Sequence, residues 1–210
     1  MYEDAKKEIL ETAMKLIDCD LINLGAGNLS IRRGNHVIVT PSGKEYKNLE
    51  PNDLPVIDME GNVVEGVYKP SLDSVGLLYI YKHVPHINAI IHTHQVYATA
   101  LSLTQTKLPA ILTTLANAVG GEVTVTPFAP AGKIETGIVT VENLNNKRAV
   151  ILKNHGVMTV GEQLNDALIA AVYLEEAAKS FLLSKPFGEP SVLNEEQIEE
   201  AVNIFVGYGQ

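Results

Sequence analysis

His92 and His94 stand one residue apart in Ile91-His92-Thr93-His94, closing a short apolar segment, Ile87 to Ile91, that reads as a buried strand. Side chains alternate faces along a strand, so the two imidazoles point the same way. A third histidine, His155, ends a second such run in Lys153-Asn154-His155-Gly156. Two imidazoles on one face and a third from a neighbouring strand supply three corners of a tetrahedron around a divalent metal. The fourth corner stays open to substrate, the layout of a catalytic rather than a structural centre. The plainer reading is that each is a core or capping histidine bonded locally. It suits His36, in a hairpin, and His83 and His86, on either side of a helix-ending proline. It suits His92 and His94 less well, because burying two adjacent imidazoles without a shared partner is costly.

Lys69-Pro70-Ser71-Leu72-Asp73 precedes a helical pattern. With Ser71 as the cap, Asp73 falls in the first turn, where a carboxylate complements the helix dipole. Placed by a metal, the same carboxylate could fill the fourth corner at rest and leave it to act as a base. A base that removes a proton next to a carbonyl needs a metal to polarise that carbonyl. Gly27-Asn28, Ser42-Gly43 and Ser71 offer backbone N–H groups and small side chains of the kind that cradle phosphate, although each alone is an ordinary turn signal. Tyr208, in Gly207-Tyr208-Gly209-Gln210, reads as a frayed end unless the tail is docked.

The elements that must position these groups follow from periodicity. Residues 2–22 predict an amphipathic helix with Ala5, Ile9, Ala13 and Leu16 on one stripe. Short strands follow at 29–32 and 36–40, turned by Gly34-Asn35, then a hairpin over 54–64. A helix is expected from Ser71 to His83, ended by Pro85. After the histidine strand come helical pieces at 95–103 and 114–120 and a β-branched run at 122–126. The composition of 135–145 favours strand, while a helix fits the alternation with the strand at 149–153. Strand 157–160, a long helix over 162–184 and a last helix ending near Val206 complete the chain. Asn194-Glu195-Glu196-Gln197 is a capping-box start for that last helix. Helices and strands are mixed throughout, which predicts one α/β domain over 1–210 with a sheet covered by helices.

The chain has 210 residues and a net charge of −9. That charge argues against nucleic acid as the main partner but not against a small anion met by local donors. With Cys19 as its one cysteine, no intrachain disulfide is possible, and a reducing cytoplasm is the simplest expectation. The charged start is not a signal peptide, and no apolar run reaches bilayer length.

Taken together, these residues resemble the class II aldolase/adducin-head family, which includes L-fuculose-1-phosphate aldolase and L-ribulose-5-phosphate 4-epimerase. The resemblance rests on Gly25-Ala26-Gly27-Asn28-Leu29-Ser30, Thr40-Pro41-Ser42-Gly43, Lys69-Pro70-Ser71-Leu72-Asp73, Ile91-His92-Thr93-His94, Pro127-Phe128-Ala129-Pro130 and Asn154-His155-Gly156. It implies a three-layer α/β/α sandwich with a mainly antiparallel central sheet, and a homotetramer with active sites between subunits. His92, His94 and His155 match the zinc ligands, although three imidazoles and a carboxylate also suit manganese or cobalt. Asp73 matches the acidic residue that touches the metal and acts as acid and base. Asn28, Ser42, Gly43 and Ser71 match groups that hold the substrate phosphate, with Gly27 beside them. Tyr208 matches a C-terminal tyrosine that reaches an active site and donates a proton.

The chain departs from the family pattern in several places. Leu72 stands where a second serine is common. Asp73 replaces the glutamate usual in the aldolases and matches the aspartate of the epimerases. In the segment Thr113 to Asn117 the chain lacks both the tyrosine of the aldolases and the acid of the epimerases, and Asn117 cannot shuttle a proton as a carboxylate does. The length and the Pro127 to Pro130 segment resemble the aldolases, and the Tyr-Gly-Gln ending resembles the epimerases. The expected activity is reversible retro-aldol cleavage of a ketose 1-phosphate to dihydroxyacetone phosphate and an aldehyde, with 4-epimerisation as the alternative. Adducin-like relatives are interaction modules without the metal histidines, so retention of all three, with Asp73, favours an enzyme.

Overall fold

A computed structural model describes residues 1–204 of the chain, so Tyr208 lies outside the described residues. The first half contains α1 (Glu3–Asp18), β1 (Asn28–Arg33), β2 (His36–Val39), β3 (Val56–Asp58), β4 (Val63–Glu65), α2 (Ser74–His83), β5 (Ala89–Thr93) and α3 (Val96–Thr104). The second contains β6 (Lys107–Leu108), α4 (Thr113–Val119), β7 (Val123–Thr124), α5 (Ile134–Asn143), β8 (Ala149–Leu152), β9 (Gly156–Gly161), α6 (Leu164–Ser184) and α7 (Glu195–Ile204).

Seven of the strands make one antiparallel sheet in the order β4-β3-β2-β1-β5-β9-β8, and β6 pairs with β7 apart from it. Alternation along each strand divides the side chains between two helical layers. Leu29, Ile31, Ala89 and Ile91 pack under α1 and α6, and Ile151 and Val157 under α3, α4 and α6. Ile90, Val150, Leu152, Met158 and Val160 face the opposite way, onto α2 and the end of α5. The architecture is the expected α/β/α sandwich, with α6, the longest helix, spanning the middle of one layer.

Two local differences from the sequence reading, and one segment it left open between strand and helix, have physical causes. First, α1 stops at Asp18, short of residue 22. Asp20 adopts the left-handed conformation (φ 58°), and the N–H groups of Asp20 and Leu21 bond the carbonyls of Ile17 and Leu16 at 3.0 and 2.9 Å. This is a Schellman stop with aspartate where glycine is usual, and Leu21 and Ile22 are buried from the loop beyond it.

Second, α2 begins at Ser74, not at Ser71, which places Asp73 at the N-cap. Its carboxylate is turned away from the helix and used elsewhere. Third, 134–143 is a helix despite its β-branched composition. Thr140 donates to the Thr136 carbonyl at 2.7 Å and Thr136 to that of Pro130 at 3.1 Å, so one hydroxyl is satisfied inside the helix and the other by the loop that leads into it. Burial against α2 then outweighs propensity. The capping box of α7 is formed as expected, with Asn194 N–H to Gln197 Oε1 at 3.0 Å and Gln197 N–H to Asn194 Oδ1 at 2.9 Å.

One end of the sheet is where chemistry collects. β1 starts there with Asn28, β5 ends there with His92 and Thr93, and β9 starts there with Gly156. Asn28 lies opposite His92 in register, and His92 opposite Met158, so Asn28 and His92 share the face covered by α2. A buried tie holds α2 to β1 beneath this end. Ser30 Oγ and Tyr81 Oη are 2.9 Å apart, and Tyr81 also donates to the Ser30 carbonyl at 3.1 Å. Removing the phenol oxygen leaves a buried hydroxyl and a buried carbonyl each short of a partner. Tyr81→Phe is therefore expected to lower unfolding free energy by about 1–3 kcal/mol, read as a lower urea midpoint with an unchanged slope.

Candidate metal centre and active site

His92 is fully buried, 1% exposed, near the end of β5. Its Nδ1 lies 2.8 Å from the carbonyl oxygen of Val157 on β9. A carbonyl only accepts, so Nδ1 carries the hydrogen and Nε2 keeps its lone pair. His94, one residue past the strand, brings its Nε2 to 3.1 Å from that of His92. His155, in the β8–β9 turn, completes the group, with ring centroids 4.7 Å from His92 and 5.1 Å from His94.

One ligand nitrogen from each ring lies within 4.8 Å of the others. Metal–nitrogen bonds of about 2.0–2.1 Å in a tetrahedron put two nitrogens roughly 3.3 Å apart. The His92–His94 spacing is close to that, and two bare lone pairs would repel at this distance without a shared cation or proton. The trio can hold a divalent metal. His92 is buried, His155 half-buried and His94 exposed, so the centre opens to one side.

Two glycines allow the chain to close around the strand end. A Cβ on Gly27 would stand 2.3 Å from the His92 carbonyl oxygen, and one on Gly156 would stand 2.3 Å from that of Thr93. Gly27 also has φ +90°, a conformation L side chains rarely adopt. Tyr46 donates to the Gly27 carbonyl at 2.7 Å and so holds this loop.

Asp73 enters from the start of α2. Its Oδ2 is 4.0 Å from His92 Nε2 and accepts from Asn28 Nδ2 at 2.8 Å. Its Oδ1 accepts the Gly132 N–H at 3.0 Å, and its own N–H bonds Ser71 Oγ at 3.3 Å. The carboxylate is thus aimed at the imidazoles by one side-chain donor and one backbone donor. Asn28 is fully buried, and its Oδ1 has no hydrogen-bond partner.

The remaining sequence candidates lie around this group. Ser42 N–H donates to the Lys69 carbonyl and Ser71 N–H to that of Thr40, at 3.0 and 3.1 Å, with Pro41 bridged to Pro70. The two turns are therefore stitched side by side. Their backbone donors at 42 and 71 serve that stitch, and Ser71 Oγ already accepts the Asp73 N–H, so what is left to donate is the O–H of each serine. Gly43 is exposed in a left-handed turn, φ +65°, with open space where a side chain would be. Leu72 is 70% exposed and lies across Gly132, where an added Cβ would be 2.6 Å from its Cγ. Asn117 lies in α4, and its Nδ2 is 3.4 Å from the Ala201 carbonyl of α7.

Sequence reasoning did not find the Val157 carbonyl or the Gly132 N–H. Both are backbone groups, 65 and 59 residues from their partners, and carry no residue-type signal. The left-handed glycine at 132, after the Pro127 to Pro130 segment, was the nearest available hint.

Comparison with known proteins defines the class. Residues 7–182 match the family described as Class II Aldolase and Adducin N-terminal domain. The chain belongs to that family. A 5-deoxy-D-ribulose 1-phosphate aldolase of Bacillus thuringiensis serovar kurstaki is 32% identical over 100% of this chain and 99% of its own length. An L-fuculose phosphate aldolase of Methanococcus maripaludis is 36% identical over 73% of this chain and 82% of its own. Among solved structures, an L-fuculose 1-phosphate aldolase superposes with a TM-score of 0.91 at 35% identity, covering 96% of each chain. No helix among the described residues is long and apolar enough to cross a membrane.

Desolvation holds all three histidines below their ordinary value of 6.5, with His92 pushed down to about 4 against the pull of the Asp73 carboxylate. The neighbouring imidazoles add to the effect at His92 and His94. The unfolded chain therefore takes up these protons more readily than the folded one. The share of the metal-free protein's stability that depends on these groups is fully present above the unfolded value of about 6.5 and declines as pH falls toward 4. Urea titrations across that window should show the decline, and His92→Gln should flatten it. Equal pH slopes in the two proteins would refute this account.

Proposed function

We propose that the protein is a metal-dependent aldolase that cleaves a ketose 1-phosphate reversibly to dihydroxyacetone phosphate and an aldehyde. The observation that carries this reading is the convergence of three imidazole nitrogens with the Asp73 carboxylate at the open end of the sheet, in a chain of this family. His92, His94 and His155 hold the ion. Zinc suits three neutral imidazoles best, and manganese or cobalt suits them also. When bound, the ion supplies Lewis acidity toward the oxygens of the sugar's ketone and neighbouring hydroxyl.

In cleavage, the hydroxyl on the carbon beyond the breaking bond loses its proton and becomes the aldehyde. The C–C electron pair passes to the carbon next to the ketone, giving an enediolate. Asp73 delivers a proton to that carbon and removes it again in the condensation direction. Tyr208, from a neighbouring subunit of a homotetramer, exchanges the proton on the aldehyde oxygen. Ser42, Gly43 and Ser71, with the Gly27 loop beside them, hold the phosphate; Asn28, which the family resemblance put with them, has its Nδ2 committed to Asp73 and takes a different role in this reading. Asn28 aims Asp73 through its Nδ2, and its free Oδ1 accepts from a substrate hydroxyl. The relative named for 5-deoxy-D-ribulose 1-phosphate and the solved structure named for L-fuculose 1-phosphate support a 1-phosphorylated ketose as the substrate class.

A specific residue supports a second reading. Asp73, like the Tyr-Gly-Gln ending, resembles the 4-epimerases, which break the same bond, turn the aldehyde and rejoin it. Purified protein should be loaded with Zn2+ and incubated separately with L-fuculose 1-phosphate, 5-deoxyribulose 1-phosphate and L-ribulose 5-phosphate. Release of free dihydroxyacetone phosphate from a ketose 1-phosphate is the expected result. Inversion of L-ribulose 5-phosphate with no free fragment would replace aldolase by epimerase. A protein that binds no metal, and whose His92→Ala variant folds and behaves as the wild type, would be an interaction module. Asp73→Asn is expected to keep the metal and to lose roughly 10²–10⁴-fold in kcat. Chelation should abolish turnover, and Zn2+ should restore it.

A further inference from the structure

His92 is oriented by its own hydrogen bond, but His94 and His155 lie where the strands have ended. His94 lies just before helix α3, and the residue before His155 is bonded to it. The cap residue of α3, Gln95, follows His94, and the Gln95 side chain is not available to cap. It is buried and spent, with Nε2 donating to the Ala171 carbonyl at 2.7 Å and Oε1 accepting from Thr93 Oγ1 at 2.8 Å. The first amides of α3 are satisfied instead by Glu175 of α6, whose Oε1 and Oε2 accept the N–H groups of Tyr97 and Ala98 at 2.8 and 2.9 Å. A carboxylate at a helix start satisfies otherwise unpaired donors and complements the dipole.

Farther along the same helix is Ser102, fully buried. Its hydroxyl donates to the Thr99 carbonyl at 2.7 Å and accepts the Asn154 N–H at 3.1 Å. Asn154 has φ +58° and is the residue before His155. The turn that presents His155 is thus pinned to α3 at a left-handed residue with a conformation of some energetic cost.

We infer that Glu175 and Ser102 are positioning residues for the metal centre, acting through α3 as a rigid brace between His94 and His155. This rests on the metal reading proposed above. Glu175 fixes the end of the brace next to His94, and Ser102, about 9 Å along the axis at 1.5 Å per residue, fixes the turn that carries His155. Neither side chain contacts an imidazole in the described hydrogen bonds; each sets where one arrives. Groups hydrogen-bonded directly to metal ligands change affinity by roughly 10–100-fold, and groups one step farther out act at the low end of that range.

The test uses the whole protein and Zn2+ or Co2+ alone as probes. Ser102→Ala and Glu175→Gln should bind Zn2+ roughly 10-fold more weakly in competition with a chromophoric chelator. Their Co2+ visible bands should shift in position and intensity. Thr140→Ala is the control: it removes a buried helix hydroxyl of the same kind from α5. It should lose similar thermal stability in the metal-free state and keep wild-type affinity and spectrum.

Two positions are probed so that a failure of either variant to fold leaves the other to decide. If the folded variants match Thr140→Ala in Zn2+ affinity and Co2+ spectrum, Ser102 and Glu175 are structural and the inference is overturned. If the wild type binds neither ion, the metal reading itself fails, and this inference with it.

Discussion

The structure depends on the register between β5 and β9. Thr93 stands opposite Val157 and His92 opposite Met158, and this pairing brings the Val157 carbonyl to Nδ1 of a ring with almost no access to water. That single acceptor decides which nitrogen carries the proton and which one is left for a ligand. A slip of one residue would send His92 to the α6 face and bring Thr93 to the site. The apolar pattern forbids the slip, because Ile90 and Ile91 fill opposite cores and Met158 and Val160 fill the same core as Ile90. Hydrophobic burial thus sets the geometry of a polar site that it does not itself touch.

The polar groups then gather where the apolar sheet ends. Asn28, the first residue of β1, and His92, the last but one of β5, stand on the face that α2 covers and that Ile90, Met158 and Val160 fill elsewhere. Buried polar atoms must find partners, and here they find one another: Asn28 with Asp73, Asp73 with Gly132, His92 with Val157. The exposure gradient from His92 to His155 to His94 follows from the same placement. The innermost ligand is fixed by the sheet, and the outer two depend on turns and on α3.

The parts legible in the sequence were those written in residue type and period. The histidine pair, the amphipathic stripe of α1, the Gly34-Asn35 turn and the capping box at Asn194 all lie within a few residues of their own signal. What stayed hidden depends on contacts distant in the chain. Asp20 ends α1 by adopting a conformation that glycine usually marks. Asp73 leaves its helix cap unfilled because Asn28 and Gly132 claim its carboxylate from 45 and 59 residues away. Glu175, 78 residues from Tyr97, looks in sequence like one more acidic residue on a long helix. The β-branched stretch at 134–143 was legible only as a choice between strand and helix; the surface of α2, which no local window contains, decides for helix.

The allocation of donors also bears on how a sugar phosphate would lie. Asn28 Nδ2 and Gly132 N–H are committed to Asp73, and the Ser42 and Ser71 N–H groups to the stitch between their turns. Next to the imidazoles, the free atom is Asn28 Oδ1, an acceptor that repels an anion and welcomes a hydroxyl. At the two turns, the O–H donors of Ser42 and Ser71 and an open glycine remain, and these suit an anion, although Ser71 Oγ also accepts the Asp73 N–H. In the proposed reading, the hydroxyl-bearing carbons therefore face Asp73 and the phosphate faces residues 42, 43 and 71. A net charge of −9 does not oppose this arrangement, because the donors act at hydrogen-bond range while the charges of the surface are screened within about 10 Å at moderate salt.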